Sequence, residues 1–181
     1  MNNLIVNLKK ALGECKRIET SLCLMKTSYE IISFGFFFIA DDKDNEPEEP
    51  VKIVGHKDNY QLRIQNHDKK EICLIKTDNC LFGDDHKKCD CILFSKDQFF
   101  LVEISESGHR NRKRNDAVYQ LSNTIDILIE NDFNLKNFAS KAIVCFKSGK
   151  TKPVQTSFNT QRAIFLDKYK VSLEEGNLIS F

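Results

Sequence analysis

The most regular hydrophobic pattern in the chain lies near its middle. Two runs rich in β-branched and aromatic residues, Cys89–Ser95 and Phe99–Ser105, flank the tripeptide Lys96-Asp97-Gln98. This arrangement predicts an antiparallel hairpin in which residues facing each other have numbers that sum to 193, so that Asp90 faces Glu103. Because both faces of the hairpin are apolar over most of their length, we expect it in the middle of a covered sheet.

The N-terminal part of the chain shows helical periodicity. One apolar face predicts an amphipathic helix from Asn2 to Leu12 with Gly13 as its cap, and this face consists of Leu4, Ile5, Leu8 and Leu12. Similar spacing predicts a second helix over Ser21–Ile32. The apolar run Ile31–Ala40 then forms a buried strand or the end of a core helix.

Strands and one long helix are predicted on either side of the hairpin. Alternating patterns predict strands at Tyr60–Gln65 and Glu71–Lys76, joined as a hairpin by the turn His67-Asp68-Lys69. Asp116 is predicted to cap a helix that runs to about Glu130. The buried stripe of this helix comprises Val118, Leu121, Ile125, Leu128 and Ile129.

The C-terminal third is predicted to contain strands only. Ser140–Phe146 is an apolar run after the long helix, and strand, helix, strand in this order is typical of a parallel crossover. Ala163–Leu166 and Leu178–Phe181 are predicted as two more strands, with a turn at Glu174–Asn177 and a loop at Lys147–Thr160. The pattern as a whole therefore predicts the α/β fold class.

Length and charge set limits on the interpretation. The chain has 181 residues, and we expect one domain, 1–181, with an acidic loop at Asp41–Pro50. The net charge of +1 indicates no general affinity for nucleic acid, so any electrostatic footprint must be local. The longest apolar run has 10 residues, whereas a membrane span needs about 20, so we expect no membrane association.

Cysteine usage is typical of a cytoplasmic protein. The seven cysteines are an odd number at irregular spacings, and the N-terminus lacks a basic region ahead of an apolar one. Reduced thiols are the expected state. A zinc site at Cys80, His86, Cys89 and Cys91 is the alternative, although Cys89 and Cys91 would then lie inside one strand.

The predicted hairpin brings like charges together. Directly opposed side chains in an antiparallel pair have Cβ atoms about 4.5–5.5 Å apart, and like charges there are destabilising. Asp90 and Glu103 therefore require a cation between them. Magnesium is a suitable cation because it takes oxygen ligands, usually from one or two carboxylates, water and substrate phosphate.

These residues resemble a known group of enzymes. An Asp at the start of one hairpin strand, a Glu at the end of the next and then a helix is similar to the layout of the PD-(D/E)xK, or restriction-endonuclease-like, nucleases. The segments KCDCILF, FFLVEI and AVYQLSNTI carry the resemblance, over roughly Cys73 to Leu128. The resemblance implies a mixed central sheet flanked by helices.

The resemblance also implies a set of site residues. Asp90 and Glu103 would hold Mg²⁺, and Gln120 on the long helix would line the site. Ser105 stands where the family has its catalytic lysine, and a migrated Lys87, Lys88, Arg110 or Lys113 could take the same space. An early acidic residue would complete the metal site, and Glu14, Glu19 and Glu30 all qualify.

A dense basic run follows the hairpin. With Lys88, it gives a set of residues expected to contact the phosphates of DNA or RNA without reading sequence: His109, Arg110, Arg112, Lys113 and Arg114. The alternative is a flexible basic loop without a ligand.

Three functions stay open at this point. The first is an accessory subunit of a bacterial defence complex that binds nucleic acid or a larger ATPase or effector protein, with reduced or no catalysis. The second is an active Mg²⁺-dependent endonuclease that hydrolyses DNA or RNA at Asp90 and Glu103. The third is a generic α/β interaction domain whose likeness to the nucleases is accidental.

Overall fold

The structure is a computed structural model that describes residues 2–13, 28–41, 50–55, 59–78, 80–81, 87–105, 110–146 and 156–181. Its helices are α1 (Asn2–Leu12), α2 (Arg110–Glu130) and α3 (Thr156–Tyr169), with a short 3-10 helix at Leu135–Asn137. Its strands are β1 (Tyr29–Ile32), β2 (Phe36–Ala40), β3 (Lys52–Val54), β4 (Leu62–Gln65), β5 (Ile72–Lys76), β6 (Cys91–Phe94), β7 (Gln98–Ser105), β8 (Ala139–Phe146), β9 (Ser172–Glu175) and β10 (Leu178–Ser180).

The strands form two mixed sheets. The larger sheet has six strands in the order β1-β5-β6-β7-β8-β9, and the smaller has four in the order β10-β4-β2-β3. In the larger sheet β7, β8 and β9 run parallel to one another, whereas the pairs β1–β5, β5–β6 and β6–β7 are antiparallel. The predicted parallel pairing of β8 with the hairpin is confirmed, and the α/β class with it.

The predicted hairpin and its register are also confirmed. Phe94 pairs with Phe99 and Cys91 with Val102. Every residue of β6 is buried, as is every residue of β7 except the first, Gln98. The hairpin lies in the middle of the larger sheet, as expected for strands that are apolar on both faces.

The two faces of the larger sheet are covered differently. On one face, the helix-side core joins Phe99 and its neighbours to Leu8 of α1, Leu121 of α2 and Phe165 of α3. On the other face, the intersheet core joins Phe100 and its neighbours to the smaller sheet through residues that include Phe37, Leu62 and Ile179. The molecule therefore has three layers: the helices, the larger sheet and the smaller sheet, in that order.

The N-terminal helix is confirmed with its cap. Leu8 and Leu12 of α1 are buried. Gly13 has φ +84°, and its N–H donates to the carbonyl of Lys9 at 2.8 Å, as in a helix that ends on a left-handed residue. The second predicted helix is wrong at its end, because Tyr29–Ile32 is strand β1. Pairing with β5 satisfies its backbone groups, and residues 14–27 lie outside the described part.

The predicted hairpin between residues 60–65 and 71–76 is wrong. Its two strands are β4 and β5, which belong to different sheets. The turn between them carries the chain from one sheet to the other. Asn66 holds this turn, since its side-chain amide donates to the carbonyl of Lys70 at 2.8 Å and its oxygen accepts from the Lys70 N–H at 2.9 Å. The apolar run at residues 31–40 likewise divides between the sheets as β1 and β2.

Two helix predictions need correction. Helix α2 begins at Arg110, so Asp116 lies inside the helix and does not cap it. Ile129, predicted to be buried, is 48% exposed. The buried face of α2 includes Leu121, Thr124 and Ile125 instead. Residues 163–166 and 156–160, predicted as strand and loop, are helix α3, of which Phe165 and Tyr169 are buried.

Candidate functional site

The two predicted acidic residues lie at the ends of β6 and β7. The last backbone pair of the hairpin is Cys91 with Val102, and Asp90 and Glu103 follow it on the two strands. Asp90 is 1% exposed and Glu103 is 3% exposed. The backbone N–H of Ile104 donates to Oδ2 of Asp90. The Asp90 side chain is therefore hydrogen-bonded to the residue that follows Glu103 on β7.

Both carboxylates approach the Cys89 thiol. Glu103 alternates along β7 with Phe99 and Leu101, which belong to the helix-side core, and Cys89 lies in the same core. Burial, together with the negative charges of Glu103 and Asp90, raises the pKa of Cys89 to about 12. Glu103 thus lies on the helix side of the sheet and acts on Cys89, whereas the charge of Asp90 also acts on Cys91 and Cys145 in the intersheet core.

A buried lysine precedes Asp90 by two residues. Lys88 is 1% exposed and is among the largest fully buried side chains, whereas its neighbour Lys87 is exposed. A lysine is almost never fully buried unless an opposite charge compensates it. In sequence, Asp90 is two residues from Lys88, and Glu103 lies across the hairpin from Asp90.

Helix α2 fixes the segment that carries Lys88. Gln120 Nε2 donates to the carbonyl of Lys88 at 3.2 Å, and Asn123 Nδ2 donates to the carbonyl of Lys87 at 3.1 Å. The N–H of Cys89 donates to Thr124 Oγ1 at 2.9 Å. One helical face therefore holds residues 87–89 along the end of the sheet. Gln120 reaches the site region through the backbone of Lys88.

Ser105 ends β7 and is buried. It pairs with Phe146 on β8. As the second residue after Glu103, it is on the same side of the strand. Its hydroxyl carries no positive charge. The buried basic side chains of the described part of the chain are Lys76, Lys88 and Arg114, and Lys76 and Arg114 form ion pairs with Glu30 and Glu175.

The predicted basic set is divided by the start of α2. Arg110 begins the helix, Arg112 is exposed and Lys113 is half-buried. Arg114 is buried, with Nη2 at 2.8 Å and Nε at 3.2 Å from Oε2 of Glu175, and its guanidinium lies 5.9 Å from the Phe146 ring centroid. His109 lies outside the described residues.

Glu175 was not foreseen as a charged partner. It was predicted to lie in a turn, but it ends β9 and pairs in register with Val144, which in turn pairs with Glu103. Glu103 and Glu175 thus lie in one row across three strands. The sequence carries no local signal for the ion pair with Arg114, since the two residues are 61 positions apart.

The early acidic residues do not join this row among the described residues. Glu30 lies on β1 and forms an ion pair with Lys76. It is opposite Leu74, whose side chain belongs to the intersheet core. Glu30 is therefore on the other face of the sheet from Glu103. Glu14 and Glu19 lie outside the described residues.

The zinc and magnesium sites differ in their donor atoms. Cys80, Cys89 and Cys91 are free buried thiols, while His86 lies outside the described residues. Across the described ranges, no three His, Cys, Asp or Glu side chains are grouped so that they could hold a metal ion. Asp90 and Glu103 provide carboxylate oxygens, the donor type that Mg²⁺ takes from one or two protein residues.

The described residues define an α/β protein with mixed sheets flanked by helices and a buried acidic pair at the end of a central hairpin. Comparison with protein-family models, with curated proteins and with solved structures found no match to this chain. No helix in the described ranges is long and apolar enough to cross a membrane.

Proposed function

We propose that this chain is a nuclease-like module that binds nucleic acid with little or no catalysis and serves as an accessory subunit of a larger assembly. The resemblance to the PD-(D/E)xK nucleases alone suggests the setting, a bacterial defence complex with an ATPase or effector partner. The chemistry proposed for the site comes from its own residues.

The burial of Lys88, two residues before the buried Asp90, carries this proposal. Two buried carboxylates require a positive charge to compensate them. The ammonium of Lys88 would supply this charge without a bound metal ion. Asp90 also uses one carboxylate oxygen to bind the Ile104 N–H. If Lys88 compensates the pair in this way, the pair has a structural task and little freedom to accept a metal-bound phosphate.

Nucleic acid would be held at the start of α2. Arg112 is exposed there, and Lys113 is half-buried. Exposed cations at such a position contact phosphates without base recognition and give binding that weakens as salt increases. Arg114 contributes by fixing α2 to β9 through Glu175.

An active Mg²⁺-dependent endonuclease is the second candidate. The same Lys88 favours it, because a buried cation two residues before Asp90 could substitute for the lysine that Ser105 replaces. Asp90 and Glu103 would hold the metal ion, which when bound activates water and stabilises negative charge on phosphate. Lys88 would then help to orient and deprotonate that water.

A cleavage assay with matched variants separates the two candidates. The purified chain is incubated with plasmid, duplex DNA and RNA in Mg²⁺ or Mn²⁺, beside Asp90→Asn and the control Asp97→Asn. Asp97 is exposed at the other end of the same hairpin. We expect no cleavage by any of these proteins. Cleavage that Asp90→Asn abolishes and Asp97→Asn retains would overturn the accessory role and establish the endonuclease.

A binding assay tests the other half of the proposal. Fluorescence anisotropy with labelled DNA and RNA is measured for the wild type, Arg112→Glu and the control Lys96→Glu, an exposed lysine in the hairpin turn. We expect Arg112→Glu to weaken binding of every sequence and to lower the salt slope by about 1, while Lys96→Glu changes neither. Failure of the wild type to bind DNA or RNA would overturn the proposal.

A further inference from the structure

The smaller sheet has an outer surface that faces away from the larger sheet. Its inner residues, among them Phe37, Leu62 and Ile179, pack in the intersheet core. Strand register and alternation place a second set of side chains on the opposite side. We call this set the outer sheet face, and it comprises Phe36, Phe38, Val54, Arg63, Gln65, Leu178 and Ser180.

Aromatic rings lie at the centre and at one end of the outer sheet face. Phe36 is 49% exposed, and the His67 ring meets it edge-on with centroids 5.4 Å apart. Phe38 is buried and packs on Tyr60 with ring centroids 4.5 Å apart. Phe36 thus exposes about half of its side chain on the same face that carries the buried Phe38.

The charge at this aromatic end is positive. The guanidinium of Arg63 lies 5.6 Å from the Phe36 ring centroid. Among the described residues, Arg63 makes no ion pair, and its buried Nε donates no hydrogen bond. The adjoining turn exposes Lys69, His67 and two acids, Asp68 and Glu71, and it half-buries Lys70. With Arg63 the region therefore carries three basic groups, not counting His67, against two acids.

We propose that the outer sheet face binds single-stranded nucleic acid, with a base stacked on Phe36 and a phosphate near Arg63. Every base has an aromatic face, so stacking on an exposed ring binds single strands regardless of sequence. A guanidinium beside the ring adds attraction to the phosphate backbone and can itself stack. Because Arg63 makes no ion pair among the described residues, a polyanion is a better ligand for this face than an apolar protein segment. An apolar segment would leave Arg63 Nε buried without an acceptor.

This surface is separate from the one in the proposed function. Helix α2 and its Arg112 belong to the helix layer, whereas Phe36 and Arg63 lie beyond the other face of the larger sheet. A variant in one layer leaves the other intact. A wild type that binds neither DNA nor RNA would overturn both proposals, whereas the effects of Arg112→Glu and of Phe36→Ala on binding distinguish one from the other.

Binding of labelled oligonucleotides tests the proposal. Single-stranded DNA and single-stranded RNA of mixed sequence, and the matching duplexes, are titrated with the wild type, Phe36→Ala and Arg63→Gln. The controls are Ile129→Ala and Lys136→Gln, which remove an exposed apolar and an exposed basic side chain from the opposite side. Thermal melting of each variant confirms that it is folded.

We expect single strands to bind more tightly than duplexes, and Phe36→Ala to weaken that binding about 5- to 100-fold, the range for one lost base stack. Arg63→Gln should weaken binding and lower its salt dependence, while both controls bind like the wild type. A stronger effect with RNA than with DNA, or the reverse, identifies which strand is preferred and supports the proposal equally.

Three results would overturn it. In the first, Phe36→Ala and Arg63→Gln bind single strands as the wild type does. In the second, duplexes bind as tightly as single strands, and only Arg112→Glu weakens binding, which assigns the contact to α2. In the third, sedimentation shows that Phe36→Ala abolishes self-association while nucleic-acid binding is unchanged, which assigns the face to a protein contact.

Discussion

At the scale of single residues, the main feature of the site is that its charged side chains are buried. Lys88, Asp90 and Glu103 are each at most 3% exposed. Removing a charged group from water costs several kcal/mol unless opposite charges and hydrogen bonds compensate it. We propose that these three buried residues are tolerated because they include both signs of charge.

The cost of removing Lys88 follows from this balance. We expect Lys88→Met to lower the free energy of unfolding by about 3 kcal/mol or more, because two carboxylates then stay buried without their cation. The neighbouring exposed lysine offers a control, and Lys87→Met should cost less than about 1 kcal/mol. Urea unfolding followed by circular dichroism measures both. A cost for Lys88→Met no larger than that for Lys87→Met would show that its ammonium does not compensate the acids.

The sequence was informative about residues wherever local rules apply. The turn at residues 96–98 and the two-residue period of strands predict that Asp90 lies opposite Glu103. Lys87 and Lys88 are chemically identical neighbours, however, and only the packing of α2 against the sheet decides which one is buried. The pairing of Arg114 with Glu175 likewise depends on a contact between elements 61 positions apart.

At the scale of elements, α2 organises the site. Its side chains bind three consecutive residues of the segment before β6, and Thr124 does so from a buried position. Thr124 Oγ1 accepts from the Cys89 N–H and donates to the carbonyl of Gln120. Thr124 therefore connects α2 to the segment before β6 through one buried hydrogen bond.

Replacement of Thr124 tests this connection. Thr124→Val keeps the shape of the side chain and leaves the Cys89 N–H buried without an acceptor, so we expect a loss of about 1–3 kcal/mol in the free energy of unfolding. Thr124→Ser keeps the hydroxyl and should be the milder change. Denaturant unfolding of the two variants gives the comparison. Equal stability of Thr124→Val and the wild type would mean that the hydrogen bond contributes nothing.

Elements with strong periodicity were predicted, and short apolar runs were not. Helix α1, the β6–β7 hairpin and β8 follow from their patterns. Residues 163–166 were predicted as a strand, because a run of four apolar residues does not distinguish a strand from one turn of a helix. In the structure Ile164 and Leu166 are exposed at 60% and 51%, so only Phe165 of this run makes a core contact through α3.

At the scale of the whole molecule, the second sheet is what the sequence did not predict. The strand at residues 60–65 was assigned to a hairpin with its neighbour in sequence, the simplest pairing for adjacent strands. It instead crosses to the smaller sheet. This arrangement buries Cys91 and Cys145 in the intersheet core and Cys73 and Cys89 in the helix-side core.

The buried thiols predict alkaline instability. Burial, with the charge of Asp90, raises the pKa of Cys145 to about 12. Burial likewise raises the pKa of Cys89 to about 12. Unfolded thiols ionise near 8.5. Between these values the unfolded state binds fewer protons than the folded state, so stability is full below the lower value and falls as pH rises.

The slope of that fall is measurable. Each buried thiol should lower the free energy of unfolding by about 1.4 kcal/mol per pH unit above pH 9. Cys145→Ala should therefore reduce the slope between pH 9.5 and 11 by about that amount, whatever its effect at neutral pH. Urea unfolding at several pH values gives both slopes. Parallel curves for wild type and Cys145→Ala would mean that this thiol ionises equally in both states.

The most direct test of the account measures whether Lys88 and Glu103 share one buried site. A double-mutant cycle compares the unfolding free energies of the wild type, Lys88→Met, Glu103→Gln and the double variant. We predict that the double variant is more stable than the sum of the single losses implies by at least about 1 kcal/mol, because removing both charges leaves less charge uncompensated. Losses that add to within about 0.5 kcal/mol would show that the two side chains do not interact, and the site proposed here would then be wrong.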